Sequence, residues 1–313
     1  HELEGKGVPF ASETDSEVFA HLIFDELKRG LDLKDSVRGA VGKVRGTYAL
    51  AVVCDREPGR IVCTKDSSPM VLGLAKGQNF VASDVPAFLL HTREVVFLND
   101  QETGQIDAAG LTLYNAAGKK IEPKTHHIAW DPVQAEKEGY KHFMQKEIFE
   151  QPRMITDTVR GRLRLEGCGI YLEELDRQAD LLTGLGKVAL IACGTSWHAA
   201  LVGKFWIEEL ARLPVEVDYA SEFRYRSPLV DTSTLAVAIS QSGETADTLA
   251  AVREAKNAGA RTVAICNVVG SSITRDSLAT IYTHAGPEIG VASTKAFTAQ
   301  LTVLYLLALY LGR

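Results

Sequence analysis

The pattern of apolar and polar positions changes character near the middle of the chain. In the first part, Thr14-Asp15-Ser16-Glu17 precedes Val18, Phe19, Leu22, Ile23 and Leu27, apolar positions at the spacing of one helical face. Thr14 with Glu17 three residues on reads as a capping box, so a helix is expected with Thr14 as its N-cap. A second helix fits 34–44. Short apolar segments follow at 47–54, 60–65, 70–75, 79–83, 94–98 and 110–115, with turn residues such as 55–59 and Asn99-Asp100 between them. Segments of this length and spacing predict antiparallel sheet.

The stretch 130–139, WDPVQAEKEG, is polar and carries a proline, which places a linker at 131–139 between parts at 1–130 and 140–313. Beyond it, strands fit 187–193, 215–220, 234–240, 261–266 and 279–284, and helices fit 197–211, 245–258 and 294–312. The strand segments are nearly continuous apolar runs. Strands buried on both faces read this way, so the second part is predicted to be α/β, with a parallel sheet between helices.

Composition narrows the function classes. The 313 residues are 46% hydrophobic and 24% charged, as in ordinary globular proteins. Asp and Glu outnumber Lys and Arg by 40 to 34 and no basic stripe is visible, so neither nucleic acid nor an anionic membrane is an expected partner. A small anion remains possible, because backbone dipoles hold one without net positive charge. The cysteines are Cys54, Cys63, Cys168, Cys193 and Cys266, odd in number and without a CxxC pair, which predicts reduced thiols in a cytoplasmic protein. The histidines show no metal-ligand spacing, and His126-His127, the one cluster, would point apart on an extended segment. No signal peptide is visible, and the most apolar stretch, 301–311, is short of the roughly 20 residues of a membrane span. The sequence opens on His1 and not methionine, and is read as a fragment or a processed product.

The chemistry gathers where strands of the second part end. Ligands of doubly wound α/β domains sit beyond the C-terminal ends of the strands. There the sequence places Cys193-Gly194-Thr195-Ser196, then Ser240-Gln241-Ser242-Gly243-Glu244-Thr245, then Gly290-Val291-Ala292-Ser293-Thr294. A single Ser or Thr at a helix start is an ordinary N-cap, but three such clusters exceed what capping needs. Ser240, Ser242 and Thr245 can donate O–H bonds, Gln241 can donate N–H bonds, and Gly243 is expected to let the backbone approach a ligand. With the helix expected from 245, this reads as a phosphate cradle of neutral donors. GxxxxGK[ST] and GxGxxG are absent, and GxSxG does not fit around Ser242 because position 240 is serine. Cys193 reads as a pocket wall, with a nucleophile as the competing role.

Several longer motifs then point to one family. SQSGETADTL, ACGTS, ASEFRYR (220–226), AICNVVGSS (264–272) and EIGVASTKAFTAQL (288–301) resemble the first sugar-isomerase (SIS) domain of the isomerizing glutamine–fructose-6-phosphate aminotransferases, the glucosamine-6-phosphate synthases. FMQKEIFEQP (143–152) resembles the approach to that domain, and SETDSEVFAHL (12–22) resembles the later part of the family's glutaminase domain. The resemblance implies a SIS domain at 140–313 with a flavodoxin-like parallel sheet, preceded at 1–130 by part of an N-terminal-nucleophile-type α+β glutaminase domain. It implies hexosamine biosynthesis, in which fructose 6-phosphate and glutamine give glucosamine 6-phosphate and glutamate, with no metal or organic cofactor and as a homodimer or larger assembly.

By position, Ser240, Gln241, Ser242 and Thr245 match the family's phosphate loop. Thr195 and Ser196 match its sugar-phosphate contacts, Cys193 lines that pocket, and Val291 and Ser293 match the third substrate segment. Asp15 matches the carboxylate that holds the amino group of glutamine, and would also favour the first helical turn. The family's N-terminal cysteine has no counterpart at His1, and its isomerase acid/base groups belong to a second SIS domain. The chain as it stands is therefore expected to bind sugar phosphate and to be inactive by itself. Two other readings stay open: a non-catalytic SIS-type sugar-phosphate sensor, and a stand-alone sugar-phosphate isomerase using His284 or Glu288.

Overall fold

Adjacent residues on one strand serve two different cores in the first part of the chain. The computed structural model describes residues 2–5, 7–130, 137–164 and 169–313, so His1, Cys168 and positions 131–136 of the expected linker lie outside the described residues. Two units are present, one of His1–Val85 and Glu94–His127, the other of Pro86–Arg93 and Ile128–Arg313. The first holds α1 (Glu2–Gly5), α2 (Glu17–Lys28), α3 (Leu33–Val41), β1 (Tyr48–Val52), β2 (Ile61–Asp66), β3 (Val71–Ala75), β4 (Gln78–Ala82), β5 (Glu94–Phe97), β6 (Thr103–Asp107), β7 (Gly110–Tyr114), β8 (Lys120–Ile121) and β9 (His126–His127). The strands form two antiparallel sheets, β1-β2-β6-β7-β8 and β4-β3-β5-β9. Side chains alternate across a strand, so Val62 packs with Ile23, Leu33, Val37 and Ala40 of the helices. Its neighbour Cys63 packs with Met70, Leu72, Val96 and Leu98 of the other sheet.

The sequence pattern misses β6 because its second residue is Gly104. A Cβ there would lie 2.9 Å from Sγ of its cross-strand partner Cys63 and 3.2 Å from Cδ1 of Leu72 in the other sheet, so the contact needs a residue with no side chain. The expected capping box also does not form. Helix α2 begins at Glu17 with Ser16 as N-cap, and Ser16 makes no side-chain cap bond. The Glu17 carboxylate accepts instead from the backbone N–H groups of Ala11 and Ser12, at 2.7 and 2.8 Å, and from the Ser12 hydroxyl. Three donors on the preceding turn outcompete the single amide that a box would offer.

The second unit holds α4 (Phe143–Val159), β10 (Leu163–Arg164), β11 (Gly169–Ile170), α5 (Glu173–Asp176), β12 (Lys187–Ala192), α6 (Gly194–Leu210), β13 (Val215–Tyr219), α7 (Ala220–Phe223), β14 (Thr234–Ser240), α8 (Ala246–Asn257), β15 (Arg261–Cys266), α9 (Ser272–Asp276), β16 (Ala279–Tyr282) and α10 (Lys295–Leu311). Its main sheet is parallel throughout, in the order β13-β12-β14-β15-β16. That is the expected flavodoxin-like order. The two faces differ in side-chain size. Leu235, Val237 and Ile239 meet Ala199, Ile207, Leu304 and Leu307 of α6 and α10. On the other face, Ala236 and Ala238 meet Ala251, Ala255, Leu249 and Val252 of α8.

Helix α4 is missing from the pattern reading, because Pro152 falls in its middle. Proline removes an N–H and leaves the carbonyl four residues back without its helical partner. The Gln151 side chain supplies one, its Nε2 donating to the Ile148 carbonyl at 2.9 Å. Among the described residues, no helix is long and apolar enough to cross a membrane.

The Glu17 contacts carry a pH dependence. They hold its carboxyl down from the ordinary 4.5 to about 2, with the Ser12 hydroxyl the largest cause and the Ala11 amide next. A lowered carboxyl stabilises the fold above its unfolded pKa, and the effect fades as pH falls through the folded value. The melting-temperature gap between the parent and Glu17→Gln should therefore be constant above pH about 4.5 and close as pH approaches about 2. A gap that does not change over that window would show that the carboxylate is not what anchors the 11–12 turn.

Candidate functional site

The strand order of the parallel sheet reverses between β12 and β14: β13 lies on one side of β12, and β14, β15 and β16 extend on the other. Connections leave such a point to opposite faces, and a crevice opens beyond the strand ends. The pairing of Ala192 with Ile239 brings the next residues, Cys193 and Ser240, side by side on its rim. Helix α6 starts directly after β12, and α8 follows β14 after a short loop. Their N-caps, Cys193 and Thr245, are both extended, and neither makes a side-chain cap bond. The first-turn N–H groups of two neighbouring helices are thus not closed by their caps, and both positive helix ends lie at the crevice.

The loop between β14 and α8 is built from its own hydroxyls. Ser240 continues the alanine face of β14 toward α8 and is only 4% exposed. Its Oγ accepts from the Gly243 N–H at 3.0 Å and lies 3.4 Å from Thr245 Oγ1. Ser242 Oγ accepts from the Glu244 N–H at 3.2 Å, which leaves its proton to donate elsewhere. Gln241 and Ser242 are half-buried and Thr245 is exposed. Ser240 therefore shapes the loop, while Ser242 and Thr245 can present donors.

Gly243 departs from the expectation placed on it. Its φ of +70° needs glycine. The close approach it permits, however, is to the chain itself: a Cβ would lie 2.1 Å from Ser271 Oγ and 2.8 Å from Cys266 Sγ. The Gly243 carbonyl accepts from the Ile273 N–H at 3.0 Å. Beside it, the Glu244 carboxylate accepts from the N–H and the hydroxyl of Ser272, both at 2.7 Å. The acidic side chain of the β14–α8 loop is thereby turned onto the segment after β15.

The first cluster divides in the same way. Thr195 is exposed at the start of α6. Ser196 is 8% exposed and accepts from Gln300 Nε2 of α10 at 2.9 Å. Cys193 packs against the cluster of Ile191, Phe223 and Ala236, and its Sγ lies 4.0 Å from the Thr248 hydroxyl.

Two carboxylates hold the third cluster. Glu288 accepts from the Ser293 hydroxyl at 2.9 Å and from the N–H groups of Thr294 and Ala296 at 2.9 and 3.1 Å, so it caps α10. Glu147 of α4 accepts from the N–H groups of Ile289 and Gly290 at 2.7 and 3.0 Å. Between these anchors Val291 is fully exposed. The Ser293 proton is committed to Glu288, so toward a ligand this hydroxyl offers lone pairs and suits a sugar hydroxyl better than a phosphate. The Glu147 contact spans 142 residues and could not be read from sequence.

Two expected residues stand apart. Asp15 is exposed in the first unit, in the turn before α2, where its carbonyl accepts from the Val18 N–H at 3.2 Å. His284 lies at the β15–β16 end of the sheet in the second unit, in the wall of a cavity of about 340 Å³ that Asn267, Arg153, Asp157 and Lys295 also line. Desolvation there, and after it the charge of Arg162, keep its pKa below the usual histidine value. Among the described residues, no group of three or more His, Cys, Asp or Glu could hold a metal ion.

Comparison with known proteins converges on one relationship. Residues 181–310 match the SIS domain family. The chain is 50% identical over 311 residues to the glutamine--fructose-6-phosphate aminotransferase [isomerizing] of Clostridium tetani, covering 99% of this chain and 51% of that protein. It is 51% identical over 312 residues to the protein of the same name from Symbiobacterium thermophilum, covering 100% of this chain and 51% of that one. The C-terminal domain of glucosamine-fructose-6-phosphate aminotransferase from Francisella tularensis superposes with a TM-score of 0.54 at 45% identity, covering 56% of this chain and 50% of that domain. The chain thus carries a SIS domain and is homologous along its whole length to the isomerizing glutamine–fructose-6-phosphate aminotransferases, spanning about half the length of these curated relatives.

Proposed function

We propose that the chain supplies a sugar-phosphate-binding part of an isomerizing glutamine–fructose-6-phosphate aminotransferase, binding fructose 6-phosphate and glucosamine 6-phosphate at the β12–β14 crevice. The observation that carries this reading is the pair of helix N-termini, α6 and α8, without side-chain caps on adjacent parallel strands, with the Ser242 and Thr245 hydroxyls between them. A phosphate there meets backbone N–H groups, two helix dipoles and neutral hydroxyl donors, while the Glu244 carboxylate of the same loop is spent on Ser272. Thr195 adds a donor at the start of α6, Gln241 an amide, and Ser293 an acceptor for a sugar hydroxyl. Cys193 and Ser196 shape the pocket from behind.

The rest of the proposal follows the relatives' name. The part at 1–130 is read as belonging to a glutaminase domain of the N-terminal-nucleophile type, with Asp15 holding the amino group of glutamine. The part at 131–139 is the linker and 140–313 the first SIS domain. Such a protein works as a cytoplasmic homodimer in hexosamine biosynthesis. The layering of two antiparallel sheets under α2 and α3 supports the first assignment. A stand-alone isomerase would need an acid/base group beside the crevice. Glu288 is committed to the start of α10, and His284 lies at the other end of the sheet, which favours the aminotransferase reading.

Three substitutions test the pocket. Ser242→Ala and Thr245→Val should each weaken fructose 6-phosphate binding by about 1.5–3 kcal/mol, the worth of a hydrogen bond to a charged group, in titration calorimetry. Unchanged affinity in both variants would remove the phosphate from this loop. Cys193→Ser should leave binding within about 1 kcal/mol of the parent, as expected for a small polar change in a wall. Loss of turnover in the complete enzyme with substrate binding retained would make the thiol a reacting group instead.

A further inference from the structure

Glu147 is 2% exposed, an unusual place for a carboxylate. Its Oε1 accepts two backbone N–H bonds, from Ile289 and Gly290. Its Oε2 is buried without a hydrogen-bond partner. Burying a carboxylate with one oxygen unpaired costs stability that its two N–H bonds offset only in part. The geometry is closely fitted: a Cβ on Gly290 would lie 2.5 Å from Oε2, so the segment can dock only because residue 290 has no side chain. The neighbours strengthen the support. Lys295, at the start of α10, pairs with Glu150 one turn along α4 at 2.7 Å, and the Thr298 hydroxyl donates to Gln151 at 2.6 Å.

We propose that Glu147 is a positioning residue for sugar binding: from α4 its carboxylate sets the backbone at Ile289 and Gly290, and so holds the Val291–Ser293 segment in the conformation that receives the sugar. This rests on the reading of that segment as part of the sugar-phosphate site. Glu288 fixes the C-terminal end of the segment through Thr294 and Ala296, and Glu147 fixes the N-terminal end. Without Glu147, Val291 hangs from a single anchor and samples many conformations. Apparent affinity then falls by the fraction of time the segment is competent. The phosphate loop at 240–245 makes none of its hydrogen bonds to Glu147, so a ligand with phosphate alone is indifferent to the change.

Titrating fructose 6-phosphate and inorganic phosphate into the full chain, the parent against Glu147→Ala, Glu147→Gln and Gly290→Ala, separates the possibilities. Expected is a loss of roughly tenfold in fructose 6-phosphate affinity for Glu147→Ala, corresponding to a competent fraction near a tenth, with inorganic phosphate unchanged. Glu147→Gln keeps the accepting oxygen and should recover part of the loss. Gly290→Ala should reproduce it from the other side of the contact, and should add little on top of Glu147→Ala because the clash is gone. Unchanged fructose 6-phosphate affinity in Glu147→Ala, with the parent binding both ligands, overturns the inference alone. Equal losses for both ligands, with no recovery in Glu147→Gln, make the residue merely structural and also overturn it. A parent that binds neither ligand defeats the site reading itself and the inference with it.

Discussion

The parallel pairing of β12 with β14 is the constraint on which the rest of the second unit depends. It sets Ala192 beside Ile239, and the two residues that follow are then forced to share a rim. Because the strand order reverses there, α6 and α8 leave to opposite faces of the sheet with their N-termini adjacent. The size asymmetry of the sheet serves the same end. Large side chains on one face of β14 bury against α6 and α10, and alanines on the other let α8 pack closely. Ser240 continues that alanine face, which is why a strand residue ends as the hinge of a loop.

A phosphate at the proposed site would lie close to several glutamates, each of which accepts from backbone N–H groups of the chain. Glu244 takes the N–H and hydroxyl of Ser272, Glu288 the first amides of α10, and Glu147 those of Ile289 and Gly290. A carboxylate that accepts several N–H bonds is neutralised locally while it fixes the loop that donates them. The same groups that would repel an anion thus hold the segments around the proposed site, and the donors left for a ligand there are hydroxyls and helix amides.

The first unit follows a different logic. Its strands are short and antiparallel, and the two-residue period of one strand supplies two cores, Val62 to the helices and Cys63 to the second sheet. At Gly104 the sequence gives up a side chain, and Leu72 of the other sheet and Cys63 of the paired strand fill the space. Buried in that contact, the Cys63 thiol is pushed up to about 12 and stays protonated at neutral pH, a packing residue and not a nucleophile.

Much of this was legible in the chain itself. The apolar runs at 187–193, 234–240 and 261–266 become β12, β14 and β15 because a strand buried on both faces needs nothing beyond local composition to declare itself. The hydroxyl clusters declare the rim, since their residue types and their place before helical patterns are local facts. What the sequence alone could not decide is which of those hydroxyls are spent. The Ser293 proton goes to Glu288, and Ser196 is buried against Gln300 of α10, while Thr195, Ser242 and Thr245 stand at the surface or half-buried with donors to offer. Helix α4 and strand β6 were hidden for related reasons, a proline whose lost bond Gln151 replaces and a glycine whose absent side chain Cys63 occupies. Periodicity and turn chemistry act over a few residues, and so they can be read along the chain. The contact of Glu147 with residue 289, 142 positions away, exists only once the sheet has stacked its helices, and it was decided by tertiary structure.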